Sequence, residues 1–365
     1  MKIGIIGTRG IPNSYGGFEQ FAEYFSVFAA EQNHQVTVYC SSLHPNKNNY
    51  FNGVKRVICY DPENTLGTFG QFIYDLNCIL DARKQKFDVI LQLGYTSSSI
   101  WCFLMPKEAL VVTNMDGMEW KRTKYNKLTR LFLMYAEKLA VKGSDLLIAD
   151  SPAIAEYIKT KYNRFAQYVP YGAKLFSSPN SNVLMPFNLR PFEYFLVIAR
   201  MEPENNIEMV IKGHIASHNK FPLIIVGSTK NNFGTYLRST YASDKIVFTE
   251  GIYQIEILNS LRYFSQIYFH GHSVGGTNPS LLEAMASHAC IAAHNNEFNK
   301  NVLQQHALYF GSSEEVCELL TQQVVRNKNY IEANLTQIEH TFNWDKLHHQ
   351  LLHIITSQYE NNKII

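Results

Sequence analysis

The stretch from Lys2 to Gln20, KIGIIGTRGIPNSYGGFEQ, decides the fold class. An apolar strand runs into a glycine-rich loop and then into a helix, which is the first unit of a parallel sheet covered by helices. The glycines do not follow the G-x-G-x-x-G spacing of dinucleotide-binding loops. They stand at Gly4, Gly7, Gly10, Gly16 and Gly17, and Pro12 lies where that helix would already run. We therefore expect the loop to hold something other than a nicotinamide or flavin pyrophosphate.

Outward from this stretch, strand-like and helix-like segments alternate along almost the whole chain. Each half offers six apolar strand-like runs, from KIGIIG to DLLIAD in the first and from YFLVIA to LYF in the second. This alternation predicts two parallel α/β sheets, and a segment rich in Pro, Ser and Asn separates them. We predict a first domain over residues 1-175 and a second over residues 186-342, with a cleft between them. The final helix, 344-360, is expected to pack back onto the first domain.

Composition says little about partners. The 365 residues include 33 basic and 31 acidic ones, a formal charge of +2, so net charge gives no reason to expect nucleic acid. The six cysteines are far apart and lack C-x-x-C spacing, which is typical of reduced, buried thiols in a cytosolic protein. No apolar stretch is long enough for a signal peptide or a membrane span. We therefore expect a cytoplasmic protein.

The strongest chemical signal is HGHSVGGTNPSLLEAMA, which begins at His270. An apolar strand ends there, Asn278 is placed to cap a helix, Pro279 suits its first position and Glu283 follows one turn later. The start of a helix offers N–H groups to a phosphate, and a carboxylate suits the hydroxyls of a ribose or hexose. A capped helix whose Glu only complements the helix dipole explains the same pattern.

Two further residues follow predicted strands. Arg200 comes directly after YFLVIA, where a guanidinium can bind a diphosphate through two hydrogen bonds. A surface Arg paired with Glu202 or Glu204 is the alternative interpretation. Asp116 follows ALVVTN, where a carboxylate can bind sugar hydroxyls or stabilise an oxocarbenium-like transition state. An ordinary turn aspartate in an Asp-Gly pair is the alternative there.

Together these segments resemble the retaining family 4 glycosyltransferases, which have the GT-B fold of two Rossmann-like domains facing each other across a cleft. Arg200 matches the Arg that binds the donor diphosphate in that family, and Glu283 matches the Glu that holds the nucleotide ribose. Two positions depart from the family pattern: Asn205 replaces a diphosphate-binding Lys, and Gly275 replaces a first Glu. The first half, through GIIGTRGIPNSYGGFEQ and NMDGMEWKRTKY, resembles the N-terminal domain of bacterial rhamnosyltransferase-like members.

The resemblance implies an acceptor-binding first domain, a donor-binding second domain and a retaining, metal-independent hexosyltransferase. The donor substrate would be a nucleotide diphosphate sugar such as dTDP-rhamnose, with no separate cofactor. The acceptor would be a hydroxyl of a growing polysaccharide, such as capsule or O-antigen, or of a lipid-linked oligosaccharide. A sugar with fewer hydroxyls, such as a deoxyhexose, fits the loss of the first Glu. A nucleotide-sugar epimerase on the same fold and a non-catalytic nucleotide-sugar binding protein remain the alternatives.

The expected site residues fall into three groups, with no metal ligands among them. The catalytic residues are Asp116 and Arg200. The donor-binding residues are Gly16, Gly17, Arg200, Asn205, Gly227, Lys230, Tyr253, Gly276, Thr277, Asn278 and Glu283. The acceptor-binding residues are Arg9, Tyr15, Tyr95 and Glu119. Glu19, in the first turn of the first helix, is expected only to complement its dipole.

A basic segment over residues 121-142 allows two interpretations. It is predicted as one helix with seven Lys or Arg and an apolar face of Leu128, Leu131, Phe132, Tyr135 and Leu139. Basic amphipathic helices bind anionic membrane surfaces, which would give a peripheral contact with the cytoplasmic membrane face. Equally, the helix could be solvated on its charged side and buried in the core on its apolar side.

Overall fold

A computed structural model describes residues 1–115, 117–122, 125–252, 254–322 and 325–364. The chain divides into two compact units. The first unit comprises residues 1–121, 125–171 and 344–365, and the second comprises residues 122–124 and 172–343. Each is built on one sheet, and none of the described helices is both long and apolar enough to cross a bilayer.

The first unit contains an eight-stranded sheet in the order β3-β4-β2-β1-β5-β6-β7-β8. Its strands are β1 Lys2–Ile6, β2 Gln35–Ser41, β3 Tyr50–Phe51, β4 Val54–Cys59, β5 Val89–Leu93, β6 Leu110–Asn114, β7 Leu146–Ala149 and β8 Ala166–Tyr168. All pairings are parallel except that of β3 with β4. Every residue of β5 and β6 is buried, as expected for central strands covered on both faces.

Five helices follow these strands in the chain. They are α1 Gly17–Glu31, α2 Glu63–Leu66, α3 Phe69–Gln85, α4 Lys127–Gly143 and α5 Pro152–Tyr162, with 3₁₀ turns at Ser99–Leu104 and Glu119–Lys121. The buried face of α1 carries Phe21, Ala22, Phe25 and Ala29, whose spacing matches the 3.6-residue period.

The basic helix is shorter than the sequence pattern predicts. Instead of running from residue 121, α4 begins at Lys127, because the side chain of Asn126 accepts a hydrogen bond from Thr129 N and caps it. The predicted range 121-142 was therefore wrong at its amino end. Residues 123–124 of that range lie outside the described residues.

The second unit contains a six-stranded sheet in the order β11-β10-β9-β12-β13-β14, with every pairing parallel. Its strands are β9 Phe195–Ile198, β10 Leu223–Val226, β11 Ile246–Thr249, β12 Ile267–His270, β13 Ile291–His294 and β14 Leu308–Phe310. Its helices are α6 Ile207–Ser217, α7 Asn232–Tyr241, α8 Ile255–Phe264, α9 Pro279–Ala286, α10 Glu297–Leu303, α11 Ser313–Thr321 and α12 Lys328–His340.

The last helix, α13 Trp344–Ile364, belongs to the first unit. Trp344 is buried, and its ring makes edge contacts with Phe21 at 6.1 Å, Tyr24 at 5.4 Å and Tyr171 at 6.4 Å between centroids. Further along, the hydroxyl of Tyr359 donates to Asp88, the residue before β5. Aromatic packing therefore joins the start of α13 to α1.

Candidate functional site

In the second unit, strand order reverses between the neighbours β9 and β12. Ligands of open α/β sheets bind at such a switch point, beyond the carboxyl ends of the strands. Arg200 follows β9 by two residues, and Gly271 and His272 directly follow β12. The sheet therefore brings the two segments singled out in the sequence to one place.

The loops after β9 and β12 are held together through their backbones. A Cβ added to Gly271 would lie 2.1 Å from the carbonyl oxygen of Asn205, so only glycine allows this approach. The backbone N–H of Ser273 donates to the Glu204 carbonyl at 3.0 Å, and Asn206 Nδ2 donates to the Gly271 carbonyl at 2.8 Å. Side chains on the two loops consequently have a fixed spacing before any ligand binds.

Asn205 supports the turn that carries Arg200. Its side chain is buried, and its amide donates to the Arg200 carbonyl at 2.8 Å. The backbone N–H of Glu202 donates to the same carbonyl, also at 2.8 Å. Asn205 is thus engaged with the backbone of Arg200, whose own side chain is exposed.

A second arginine, Arg122, groups with the second unit although it lies in the first half of the sequence. Its Nη1 is 3.6 Å from a carboxylate oxygen of Glu204, and both side chains are largely buried. Neither carboxylate oxygen of Glu204 accepts a hydrogen bond from a described residue. From its sequence position Arg122 is expected only as part of the basic helix, although it stands in the NMDGMEWKRTKY motif that carries the family resemblance.

His272 lies close to both arginines. Burial, together with the positive charges of Arg200 and Arg122, lowers the pKa of His272 to about 3, so the ring is neutral at physiological pH. It stacks on His270, with ring centroids 4.3 Å apart and an interplanar angle of 12°. The His272 backbone is fixed as well, because Asn296 and Asn299 both donate to its carbonyl at 3.0 Å. The positive charge at this switch point is therefore carried by Arg200 and Arg122 and not by His272.

The helix after β12 begins as predicted. The Asn278 side chain accepts from Ser280 N at 2.9 Å, and Pro279 occupies the first helical position. One turn later, a carboxylate oxygen of Glu283 lies 2.7 Å from Nη2 of Arg262, a side chain of α8 that is only 1% exposed. Arg262 also donates to Asn259 and to Ser280. This buried arginine, which sequence reasoning missed, fixes the direction of the Glu283 carboxylate.

The loop after β10 packs against the Arg200 turn. A Cβ on Gly227 would lie 2.2 Å from the Ala199 carbonyl oxygen, and Asn231 Nδ2 donates to the Met201 carbonyl at 2.7 Å. Thr277 is buried, Gly276 is half-buried and Lys230 is exposed. Two of the expected site residues, Asp116 and Tyr253, lie outside the described residues.

The first unit has its own switch point, between β1 and β5. Gly7 closes β1 with a φ of +80°, and a Cβ there would lie 2.3 Å from the Leu93 carbonyl oxygen, so glycine is required. Arg9 donates to both carboxylate oxygens of Glu63, one of them at 2.9 Å, and lies over the Tyr15 ring at 4.5 Å. The ion pair raises the pKa of Arg9 and lowers that of Glu63.

Glu19 does more than complement a helix dipole. Its buried carboxylate accepts from Arg9 N at 2.8 Å and from the Thr8 hydroxyl at 3.2 Å, so it holds the loop after β1. The expected donor contacts Gly16 and Gly17 lie at the N-cap and first residue of α1, which is capped by no side chain of the described residues. An uncapped helix start of this kind retains N–H groups that suit an anion.

The other expected acceptor residues lie deeper. Tyr95 is 1% exposed, and its hydroxyl donates to Glu137 at 3.5 Å, so the ring belongs to the core of the first unit. Glu119 begins a half-buried 3₁₀ turn whose Trp120 also donates to Glu137, at 3.1 Å.

The first unit also holds a buried carboxyl that no sequence motif singles out. Asp75 on α3 accepts a hydrogen bond from Ser97 Oγ at 2.6 Å. The neighbouring Tyr74 hydroxyl donates to the Thr8 carbonyl at 2.8 Å. Burial raises the pKa of Asp75 to about 7, so this carboxyl titrates near neutral pH.

Comparisons with known proteins identify the fold. Residues 1–174 match a family described as a domain of unknown function, DUF1972, and no curated protein matches the chain. A sucrose-phosphate synthase structure from Thermosynechococcus elongatus aligns with a TM-score of 0.79 at 15% identity, covering 99% of each chain. Anabaena HepE in complex with UDP-glucose aligns at 0.74 and 12%, covering 98% of this chain and 99% of HepE. A trehalose-phosphate synthase structure from Burkholderia vietnamiensis aligns at 0.69 and 9%, with the same coverage. The chain has the GT-B fold that these glycosyltransferases share.

Proposed function

We propose that the chain is a glycosyltransferase that moves a sugar from a nucleoside diphosphate to a hydroxyl of a saccharide or polyprenyl-linked acceptor. The proposal rests on the cluster of charged side chains beyond the carboxyl ends of β9 and β12. There Arg122 pairs with Glu204, the adjacent Asn205 donates to the Arg200 carbonyl, and Glu283 is fixed one turn into α9. Two guanidinium groups suit a diphosphate, and a fixed carboxylate suits the hydroxyls of a ribose.

Arg122 takes the place of the missing family Lys in this proposal. Asn205 is neutral and already bound to the Arg200 carbonyl, so it adds no positive charge. Arg122 supplies that charge from another part of the chain. Its ion pair with Glu204 is 3.6 Å long and is not accompanied by a hydrogen bond to the carboxylate from a described residue. An arriving diphosphate, which carries more negative charge than one carboxylate, can compete with Glu204 for the guanidinium.

As the donor we propose dTDP-L-rhamnose. Gly275, which stands in place of the first family Glu, has a φ of +137°, and no atom of the described residues lies within 4 Å of a Cβ built there. The conformation is one that L side chains rarely adopt, so the loop is shaped for glycine. A deoxyhexose has fewer hydroxyls than glucose and needs fewer polar partners at this position.

We propose a retaining reaction without a metal ion. The acceptor oxygen bonds to the anomeric carbon on the face from which the diphosphate leaves. The bond to the leaving oxygen breaks, and the diphosphate takes the acceptor proton. Arg200 and Arg122 lower the barrier by stabilising the charge that develops on the leaving group. Asp116 is assigned to the sugar, and Gly16 and Gly17 to the donor diphosphate. A cytoplasmic location belongs to the same proposal.

Calorimetric titration of the full chain with UDP and dTDP tests the donor site. We expect binding of a nucleoside diphosphate, weakened about tenfold to a hundredfold by Arg200→Gln or Arg122→Gln, because each removes a charge-assisted hydrogen bond. Arg238→Gln, on the exposed face of α7, is the matched control and should bind as the wild type does. If neither nucleotide binds, the proposal fails. If only Arg122→Gln binds normally, the assignment of Arg122 fails while the donor site stands.

Transfer itself is tested by mass spectrometry with dTDP-rhamnose or UDP-glucose and lipid-linked saccharide acceptors. We expect a product heavier by one deoxyhexose with dTDP-rhamnose, and its anomeric configuration, read by NMR, to match that of the donor. Interconversion of the donor into an epimer without acceptor would indicate an epimerase instead.

A further inference from the structure

The first unit exposes large apolar side chains on three neighbouring elements. Phe69 on α3 is 75% exposed and Phe103 in the Ser99–Leu104 turn is 69% exposed. On α4, Leu128 is 78%, Leu131 58% and Tyr135 57% exposed. Single exposed apolar residues are common on proteins, but contiguous sets mark interaction surfaces. We call these five side chains the apolar ridge.

Contacts beneath the ridge join its members. The Phe69 ring lies 6.2 Å from Phe72, and Phe72 lies 5.7 Å from Phe132 on α4. Leu128 and Tyr135 stand four and three residues from Phe132, which places them beside it on the helix surface. The turn that carries Phe103 packs against α4 as well, since a Cβ on Gly143 would lie 2.8 Å from Cys102 Cβ. α3 and α4 thus touch through the Phe72 and Phe132 rings, and both pack against the turn that carries Phe103.

Positive charge surrounds the ridge on α4. Lys127, Lys138 and Lys142 are exposed on this helix. Within Lys127–Gly143, every residue of which is described, the one acidic side chain is Glu137. It is buried and accepts hydrogen bonds from Tyr157, Tyr162 and Lys161. The exposed side of α4 thus combines apolar and cationic groups without a balancing acid on the same helix.

We propose that the apolar ridge and its lysines form a surface that docks on anionic membranes. Lysines beside the exposed Leu and Tyr side chains of α4 match the negative headgroups and the apolar boundary below them. A second copy of the chain is a poorer occupant, because a two-fold contact would bring the same lysines together. The sequence left open whether the apolar face of this helix is buried; Phe132 is half-buried, but Leu128, Leu131 and Tyr135 are not. This inference rests on the surface alone and not on the proposed glycosyl transfer.

The test is co-sedimentation of the full chain with vesicles of phosphatidylcholine, with or without phosphatidylglycerol. We expect binding only when phosphatidylglycerol is present, and weaker binding at high salt. The double variant Lys138→Gln/Lys142→Gln should bind about thirtyfold more weakly, about fivefold for each cation removed. Leu128→Ser and Leu131→Ser should each weaken binding about tenfold, since each removes apolar area buried in the membrane.

Two control variants distinguish docking through the ridge from nonspecific binding. Met185→Ser removes a side chain that is 70% exposed in the second unit, and Lys328→Gln removes an exposed charge on α12; both should bind as the wild type does. Circular dichroism confirms that each variant is folded. Equal binding to neutral vesicles, or unchanged binding of the Leu128 and lysine variants, would overturn the proposal. So would a dimer that the ridge variants abolish in a chain that binds no vesicles.

Discussion

Replacing Asp75 by Asn should make the first unit more stable above neutral pH and remove part of its pH dependence. Asp75 is 5% exposed and accepts one hydrogen bond, from Ser97. Burial disfavours the charged carboxylate and raises its pKa to about 7, with the negative charge of Asp61 acting in the same direction. An asparagine keeps the shape and an acceptor for Ser97 but carries no charge to bury.

The direction of the pH effect follows from the two pKa values. The unfolded chain releases the Asp75 proton near pH 3.8, whereas the folded chain holds it to about pH 7. The stabilisation by the protonated carboxyl is therefore fully present below the unfolded value and is lost as pH rises through the folded one. The gap corresponds to about 4 kcal/mol of unfolding free energy, at about 1.4 kcal/mol for each pKa unit.

Urea unfolding followed by tryptophan fluorescence measures this effect in the first unit, because Trp101, Trp120 and Trp344 all belong to it. Between about pH 5 and about pH 8, the wild type should lose stability relative to Asp75→Asn, by a few kcal/mol at most. Asp244→Asn removes a carboxylate at an exposed position and serves as the control. If the free energies of unfolding of the wild type and Asp75→Asn differ by the same amount at every pH, the reasoning is refuted.

Two further predictions concern the two switch points. Arg262→Met removes the buried partner of Glu283. It should destabilise the second unit by about 3 to 5 kcal/mol in urea unfolding and weaken nucleotide binding in calorimetry. A variant that binds UDP or dTDP as the wild type does would contradict the positioning role of Arg262. Gly7→Ala should lower the melting temperature by far more than Gly67→Ala. Both glycines have positive φ, but a Cβ at Gly7 meets the Leu93 carbonyl oxygen at 2.3 Å, whereas none of the atoms that the structure describes lies within 4 Å of one at Gly67. Equal melting temperatures for the two variants would show that the close approach carries no cost.

Most of the fold could be predicted from the sequence because its strands are buried on both faces. All twelve apolar runs form strands, since each is a nearly continuous apolar segment between turn residues. The two strands missed, β3 and β8, have two and three residues and lie at the edges of their sheet, where no apolar pattern is needed. The start of α4 was missed because Asn126 ends the basic run as a cap, a role that composition does not reveal.

The candidate site was less predictable because its key pairs are distant in sequence. Arg200 and Glu283 follow strands and could be found from local pattern. Arg122 and Glu204 are separated by eighty-two positions, and Arg262 reaches Glu283 from the preceding helix. No local periodicity links such residues, so their pairing becomes visible only once the strands are ordered. For the same reason Asp75 gave no signal, since its properties come from the elements packed around it.

The aromatic contacts of Trp344 also have a consequence during synthesis, because they form only when the last helix of the first unit has been translated. The second unit, apart from residues 122–124, is continuous from residue 172 to residue 343, so the ribosome delivers its part after 171 before α13 exists. Until then Phe21, Tyr24 and Tyr171 lack the indole that covers them. The first unit is thus translated first but can complete its folding only after the second unit has been synthesised. A nascent chain stalled before residue 344 would present an aromatic surface on α1 that chaperones recognise.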